Sequence, residues 1–315
     1  VFLLIKLLFQ LALFLLWAPL VNGIVKKTKA RLQRRVGPPV WQTYYDLRKY
    51  FRKQMVISQS ATWIFHAAPV VHMAAVIGAA LLAPAVLAPA GWLTGAAVPG
   101  FGDMVLLAGL LALGRFVLAL AALESGSAFG GMGSSREMAV SCFIEPALLL
   151  TLGVFTLRAG TTGLAGMAAG LEKLGWASVV PGHLLAMVAL LIIAVAETGR
   201  VPVDNPDTHL ELTMIHEGMV LEYSGPYLAM IVWSHDMKQL IMLSLLADLA
   251  LPFWVTGPLW LTIPVYLGKT LVLGVLMAFI ETAMAKVRIL KIPDLLTTAA
   301  ALAILAAISD LRIGG

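Results

Sequence analysis

The chain has 315 residues, 60% of them hydrophobic and only 12% charged, against about 25% charged in an ordinary soluble domain. Several apolar runs exceed the ~18 residues that mark a membrane-spanning helix, so a water-soluble α/β enzyme is excluded. An all-α polytopic integral membrane protein is expected, because backbone polar groups in lipid must bond internally.

In chain order the pattern predicts about eight spans, near 1–22, 63–88, 104–123, 138–159, 180–197, 236–254, 261–284 and 294–311, in a single membrane domain. The opening run "VFLLIKLLFQLALFLLWAPLV" is too long for a signal-peptide core and has no small-residue cleavage site after it. It reads as the first span. Pro69 and Pro84 interrupt the second, which a membrane helix tolerates when neighbours satisfy the freed carbonyls. No internal repeat is visible.

Basic residues set the orientation. Sixteen of the 22 Lys and Arg fall on one side of the eight-span arrangement, ten of them between Asn22 and Lys53. Arg158, Lys173 and Arg312 fall on the other, and Lys6, Arg115 and Lys269 lie within spans. Both termini are therefore expected outside, with cytoplasmic loops at about 23–62, 124–137, 198–235 and 285–293. The net charge of +5 expresses this bias and carries no signal for nucleic acid. Within the first loop, "WQTYYDLRKYFRKQ" mixes aromatic and basic residues at helical spacing, as an interfacial amphipathic helix does. The loop is equally a lipid-headgroup contact or a docking surface, with Arg34 and Arg35 as candidate charge partners.

The single cysteine, Cys142, forms no intrachain disulfide and cannot hold an iron–sulfur cluster. It is expected as a small core residue. The glycine-rich "GSAFGGMGSSRE" at 126–137 lacks the strand and the Gly-Lys-Ser/Thr of a phosphate loop. It reads as a tight turn that lets Arg136 and Glu137 approach another loop.

Acids carry the functional signal, since an ionisable residue in a span is costly. Glu145 lies several residues into the fourth span, Glu124 and Glu197 at the cytoplasmic ends of the third and fifth, and Glu281 near the end of the seventh. "AETGRVPVDNPDTHLELTMIHEGMVLEYSG" (196–225) adds Asp204, Asp207, Glu211, Glu217 and Glu222. Its apolar interludes predict a loop folded back into a cavity, lined by acids and covered by another protein. As a set, these carboxylates suit a proton or charge relay. His209 and His216 lack the tight spacing of metal ligands, and no nucleophile triad, haem ligand set or nucleotide fingerprint is present. No catalytic, cofactor-binding or metal-ligating residue is assigned.

"AETGRVPVDNPDTHLEL" resembles the signature of the membrane subunit 1 family of respiratory complex I, approximately A-E-T-N-R-x-P-F-D-x-P-E-x-E-x-E-L. Glu197, Arg200, Pro202, Asp204, Pro206 and Glu211 fall on matching positions, with Asp207 in place of a glutamate. "EYSG" at 222–225 and "RLQRRVGPP" at 31–39 resemble further motifs, so the likeness runs nearly the whole chain in order. His209 and Val203 depart from it, and "THLELTMIHEG" is longer than the complex I loop. There the chain is more similar to the membrane anchor of energy-converting [NiFe] hydrogenases of the formate hydrogenlyase and hydrogenase-4 types.

The resemblance implies a non-catalytic oxidoreductase subunit in a prokaryotic inner membrane. Hydrophilic partners carrying the iron–sulfur clusters and the [NiFe] centre would dock over the acidic loop, with antiporter-like membrane subunits and lipids as further partners. Electron transfer there would drive H⁺ or Na⁺ movement, with Arg136 and Arg200 among the charge partners. The alternative is the quinone-site subunit of a complex I type NADH:quinone oxidoreductase; the departures from its signature argue against a bound quinone. An ion-coupled secondary transporter is a third class, for which paired broken helices in inverted repeats are not found.

Overall fold

The structure is a computed structural model and describes residues 2–57, 61–84, 103–175, 180–204, 215–255 and 259–313. Its helices are α1 (Phe2–Leu32), α2 (Gln42–Arg52), α3 (Trp63–Leu82), α4 (Met104–Glu124), α5 (Ala128–Ala159), α6 (Leu164–Leu174), α7 (Pro181–Glu197), α8 (His216–Val220), α9 (Gly225–Leu245), α10 (Leu259–Ala283) and α11 (Ile292–Ile313). A π-helical turn, Leu246–Ala250, continues α9. No strand occurs among the described residues, so the chain is an all-α bundle.

Local chemistry starts and stops these helices. Thr62, Asp103 and Ser127 cap α3, α4 and α5 by accepting from the amides of Ile64, Val105 and Gly130. Pro occupies the first turn of α7 and α9, where its missing N–H costs nothing. Gly160 closes α5 at φ 70°, a left-handed conformation glycine adopts without strain.

Six of the described helices, α1, α3, α4, α5, α10 and α11, are long and apolar enough to cross a membrane, and α7 is a shorter apolar helix. Large apolar side chains on their outer faces, such as Leu16, Phe116, Val272 and Phe279, are exposed. Lipid solvates such a face as well as a protein core would. α9 is different: every residue from Asp236 to Leu245 is buried, so it is the central helix of the bundle. α3 packs against α4 and α9, α1 against α10 and α9, and α11 against α7 and α5.

Several boundaries depart from expectation. The first span continues through the basic segment to Leu32. Its 31 residues reach roughly 46 Å at ~1.5 Å per residue, beyond a ~30 Å hydrocarbon core, so its basic end stands clear of the lipid. The glycine-rich 126–137 stretch is not a turn but helix from Ala128 onward. Glycine is needed there because α8 crosses closely: a Cβ on Gly133 would meet the Ile215 carbonyl oxygen at 2.9 Å. α9 starts at Gly225 rather than near 236, so Lys238, counted among the sixteen basic residues on the cytoplasmic side, lies well inside a buried helix. Cys142 is exposed on α5 and is not a core residue. α6 is an additional helix. The expected interfacial helix is present as α2, with Thr43 and Leu47 buried on its inner face.

Candidate functional site: a buried charge network beneath an acidic cavity

Two ion clusters meet at one end of the bundle. The first is centred on Arg115 of α4, whose Nη2 lies 2.6 Å from each carboxylate oxygen of Glu197, the last residue of α7. Lys238 of α9 approaches the same carboxylate at 3.0 Å. The guanidinium also faces Glu137 and Glu145 of α5, each at 3.6 Å. Glu197 is fully buried, whereas the Glu145 side chain is 41% exposed. Three acids and two cations thus share one site, and the pairs offset the cost of burying them only because both signs are present.

The second cluster begins three residues further along. Arg200 Nη1 contacts Glu281 at 2.5 Å, and its Nη2 donates to Asn22 at 2.9 Å and Gln239 at 2.6 Å. This spread uses the fixed fork of a guanidinium, which a lysine cannot reproduce. Asn22 in turn donates to Asp236 at 2.5 Å, and Lys29, on the extended end of α1, reaches Glu281 at 3.3 Å. Asp204 pairs with Lys286 at 2.9 Å and accepts from the amide of His216 at 3.3 Å. That contact ties the start of α8 to the turn after α7.

These groups open onto a cavity of about 320 Å³. Its walls carry Asp46, Asp204, Glu217, Asp236 and Glu281 together with Lys26, Lys29 and Arg200. Its negative potential is felt by two phenols of α2. Burial, then the charge of Asp236, pushes the Tyr44 phenol above its ordinary value. Burial, then Asp46 and Glu217, does the same for Tyr50 on the cavity wall. One carboxylate oxygen of Asp236 is buried without a hydrogen-bond partner, and such a group is costly unless it exchanges partners or protons.

Of the acids singled out in the sequence, Glu197, Glu145, Asp204, Glu217 and Glu281 are brought into these clusters. Glu124 instead accepts from the amide of Thr62, tying α4 to the start of α3. Glu222 is exposed. Asp207, Glu211 and His209 lie outside the described residues. Arg34 and Arg35 are exposed beyond α1, and Arg136 is half-buried on α5. Sequence reasoning gave no role to Asn22, Lys29, Asp236 and Gln239, and treated Lys238 as a topology signal. The available clue was "HDMKQ" at 235–239, a polar run in which nothing but Met237 is apolar, followed at once by the apolar "LIML" of 240–243.

A multi-pass helical membrane subunit, with a paired charge network below an acid-lined cavity, is the class these features define. The NADH dehydrogenase family profile matches residues 5–309, and the chain belongs to that family. It is 36% identical to hydrogenase-4 component C of Escherichia coli K12, over 78% of this chain and 74% of that one. It is 32% identical to formate hydrogenlyase subunit 4 of the same organism, over 86% and 87%. A subunit of the NADH-quinone oxidoreductase of Syntrophobacter fumaroxidans is 28% identical over 90% and 86%. The fold matches a chain of the membrane-bound sulfane sulfur reductase, an archaeal respiratory membrane complex, with a TM-score of 0.83, 21% identity and coverage of 98% and 99%.

Proposed function

We propose that this chain is the membrane anchor of an energy-converting [NiFe] hydrogenase complex, and that its acidic cavity couples electron transfer to proton or sodium movement. The observation that carries the reading is that two buried ion clusters share α9. Arg200 holds Glu281 at the cavity and Gln239 of α9, and the neighbouring Lys238 holds Glu197, which pairs with Arg115 beside Glu145. A hydrophilic arm docked over the cavity would add or remove charge there. A unit charge ~10 Å from a carboxylate alters its energy by about 1.7 kcal/mol at an effective dielectric of ~20, more than one pKa unit. Such a change re-partners acids that share cations. Glu145, at the lipid-facing end of the network, is the natural exit toward a neighbouring membrane subunit.

Higher identity to hydrogenase-4 component C and formate hydrogenlyase subunit 4 than to the NADH-quinone oxidoreductase relative supports the hydrogenase reading. With one cysteine in the chain, the iron–sulfur clusters and [NiFe] centre belong to partner subunits, and this subunit acts by anchoring and coupling. The basic extension of α1, with Arg34 and Arg35, and Arg136 nearby, are the contacts for the arm. That face is cytoplasmic and both termini are outside, in the inner membrane of a prokaryote. A quinone is disfavoured by the departures from the complex I signature at Val203 and His209.

Mass spectrometry of the complex co-purified with this chain in mild detergent tests the reading. Recovery of a [NiFe]-type large subunit and iron–sulfur subunits supports it. NADH-binding flavoprotein subunits would move the chain to the complex I type, the second reading, which the 28% identity to an NADH-quinone oxidoreductase subunit favours. Recovery of the chain alone, in several detergents, would overturn both.

A further inference from the structure

A further buried ion pair lies deep in the bundle, away from the acidic cavity. Lys269 stands ten residues into α10, which starts at Leu259. That is about 15 Å along the helix, near the middle of a ~30 Å hydrocarbon core. Lysines in spans usually reach for the interface, but this one is held inward. Its Nζ lies 3.8 Å from Asp248 and donates to the carbonyls of Leu251 at 2.8 Å and Ala247 at 3.2 Å. The Leu251 carbonyl also accepts from the amide of Phe253 at 2.8 Å, and α9 ends there in the π-helical turn that carries Asp248. Turns of that kind are rare and concentrate at functional sites. Asp248 is buried, and the Lys269 side chain is 13% exposed.

Further polar groups lie in the same part of the bundle. His183, at the start of α7, is 1% exposed, and its Nε2 meets the carbonyl of Ala250 at 3.0 Å. A ring nitrogen facing a carbonyl must be the donor, which leaves Nδ1 as the acceptor. That Nδ1 is buried and has no hydrogen-bond partner. Beyond it, Arg158 and Asp310 pair at 3.1 Å at the same end of the bundle. Tyr266, bonded to Ser244 at 2.6 Å, and Glu172, which accepts from the amide of Val255 at 3.0 Å, complete the polar groups around the pair.

We propose that Asp248 and Lys269 form a second proton-holding site within the bundle. The inference rests on the coupling function proposed above. The step is proton transfer alone, with no redox change. Lys269 Nζ gives a proton to the Asp248 carboxylate, leaving a neutral amine and a carboxylic acid. The acid then releases that proton, and the amine takes the next proton from the interior. The carbonyl cradle keeps the amine in place whether or not it is charged, because a neutral amine still donates N–H.

The test uses the purified complex in liposomes with a trapped pH dye, its own electron donor and acceptor, and three forms: unaltered, Asp248→Asn, and Asp248→Asn with Lys269→Met. The double form leaves no uncompensated buried charge, so it assembles even where the single one does not. Redox turnover is expected to continue in the variants while the turnover-driven pH change falls to the uncoupled background. An unchanged pH change per electron in the variants overturns the site but leaves the coupling reading intact. Loss of turnover and assembly together in the double form also overturns it, since the pair then only holds the fold. Turnover without any ion movement in the unaltered complex overturns the coupling reading, and this site with it.

Discussion

Arg115→Met removes the one cation that three carboxylates share. At 2.6 Å from Glu197 and an effective dielectric of ~20, the gross attraction is about 6 kcal/mol. The Lys238–Glu197 contact at 3.0 Å gives about 5.5 kcal/mol on the same scale. Desolvation of each ion cancels much of this, and removing one partner of a buried pair costs a net ~3–5 kcal/mol. Charge counting sharpens the expectation. Arg115, Lys238, Glu197, Glu137 and Glu145 sum to −1, and Arg115→Met makes the cluster −2. Glu197→Gln makes it neutral, leaves Arg115 facing Glu137 and Glu145, and strands only Lys238. It should therefore cost less, toward the lower end of that range, about 3 kcal/mol. The unfolding free energies of both variants and of the double variant, read by denaturant titration in detergent micelles, close a cycle. A cost for Arg115→Met below about 1 kcal/mol, the range of an exposed pair, would refute the claim that this cluster is a paired, buried site. So would a Glu197→Gln variant less stable than Arg115→Met.

Other consequences are open to measurement. Arg200→Lys keeps the charge but cannot hold Glu281, Asn22 and Gln239 at once, so it should cost ~1–3 kcal/mol in the same titration and slow turnover-linked ion movement. Gly133→Val pushes α8 off α5, where the Ile215 carbonyl and the Gly218 backbone leave no room. It should cost ~1–3 kcal/mol and raise hydrogen exchange selectively at residues 215–221. Asp236→Asn removes the charge that adds to the effect of burial on Tyr44. Taking away a nearby negative charge favours the phenolate, so the Tyr44 titration, isolated by difference against Tyr44→Phe, should move to lower pH. It should remain above the ordinary phenol value, because burial is the larger cause.

The sequence revealed the membrane class and the acids, because both are written as local composition. Long apolar runs have few physical interpretations, and Glu197, Asp204 and Glu281 stand out against an apolar background. What stayed hidden depends on chain segments far apart. Nothing local pairs Arg115 with Glu197, 82 positions away, or Arg200 with Asn22, 178 positions away. Lys238 was misplaced for a related reason. Hydropathy treats a charged helix as a loop, yet α9 can be polar at the centre of the bundle because other helices supply its counter-charges. The glycine-rich segment misled in the opposite direction. Its glycines permit close approach of α8 rather than a turn, and only the packing of another element distinguishes the two uses.

That placement of α9 bears on how the two clusters communicate. Lys238 and Gln239 are consecutive residues, about 100° apart around a helix, yet one reaches Glu197 and the other Arg200. Asp236, less than one turn earlier, reaches Asn22 in the Arg200 cluster. Glu197 and Arg200 are themselves joined by the short turn that ends α7. The two clusters are thus held at fixed spacing by two stiff backbone segments. A displacement or rotation of α9 strains both together, and re-pairing of an acid at the cavity alters the forces on the same helix. Coupling through a shared rigid element needs no unbroken wire of hydrogen bonds, only two arrangements of that element whose balance both clusters bias. Glu145, as far from Arg115 as Glu137 is but with its side chain 41% exposed, is the acid of that cluster most open to what surrounds the bundle.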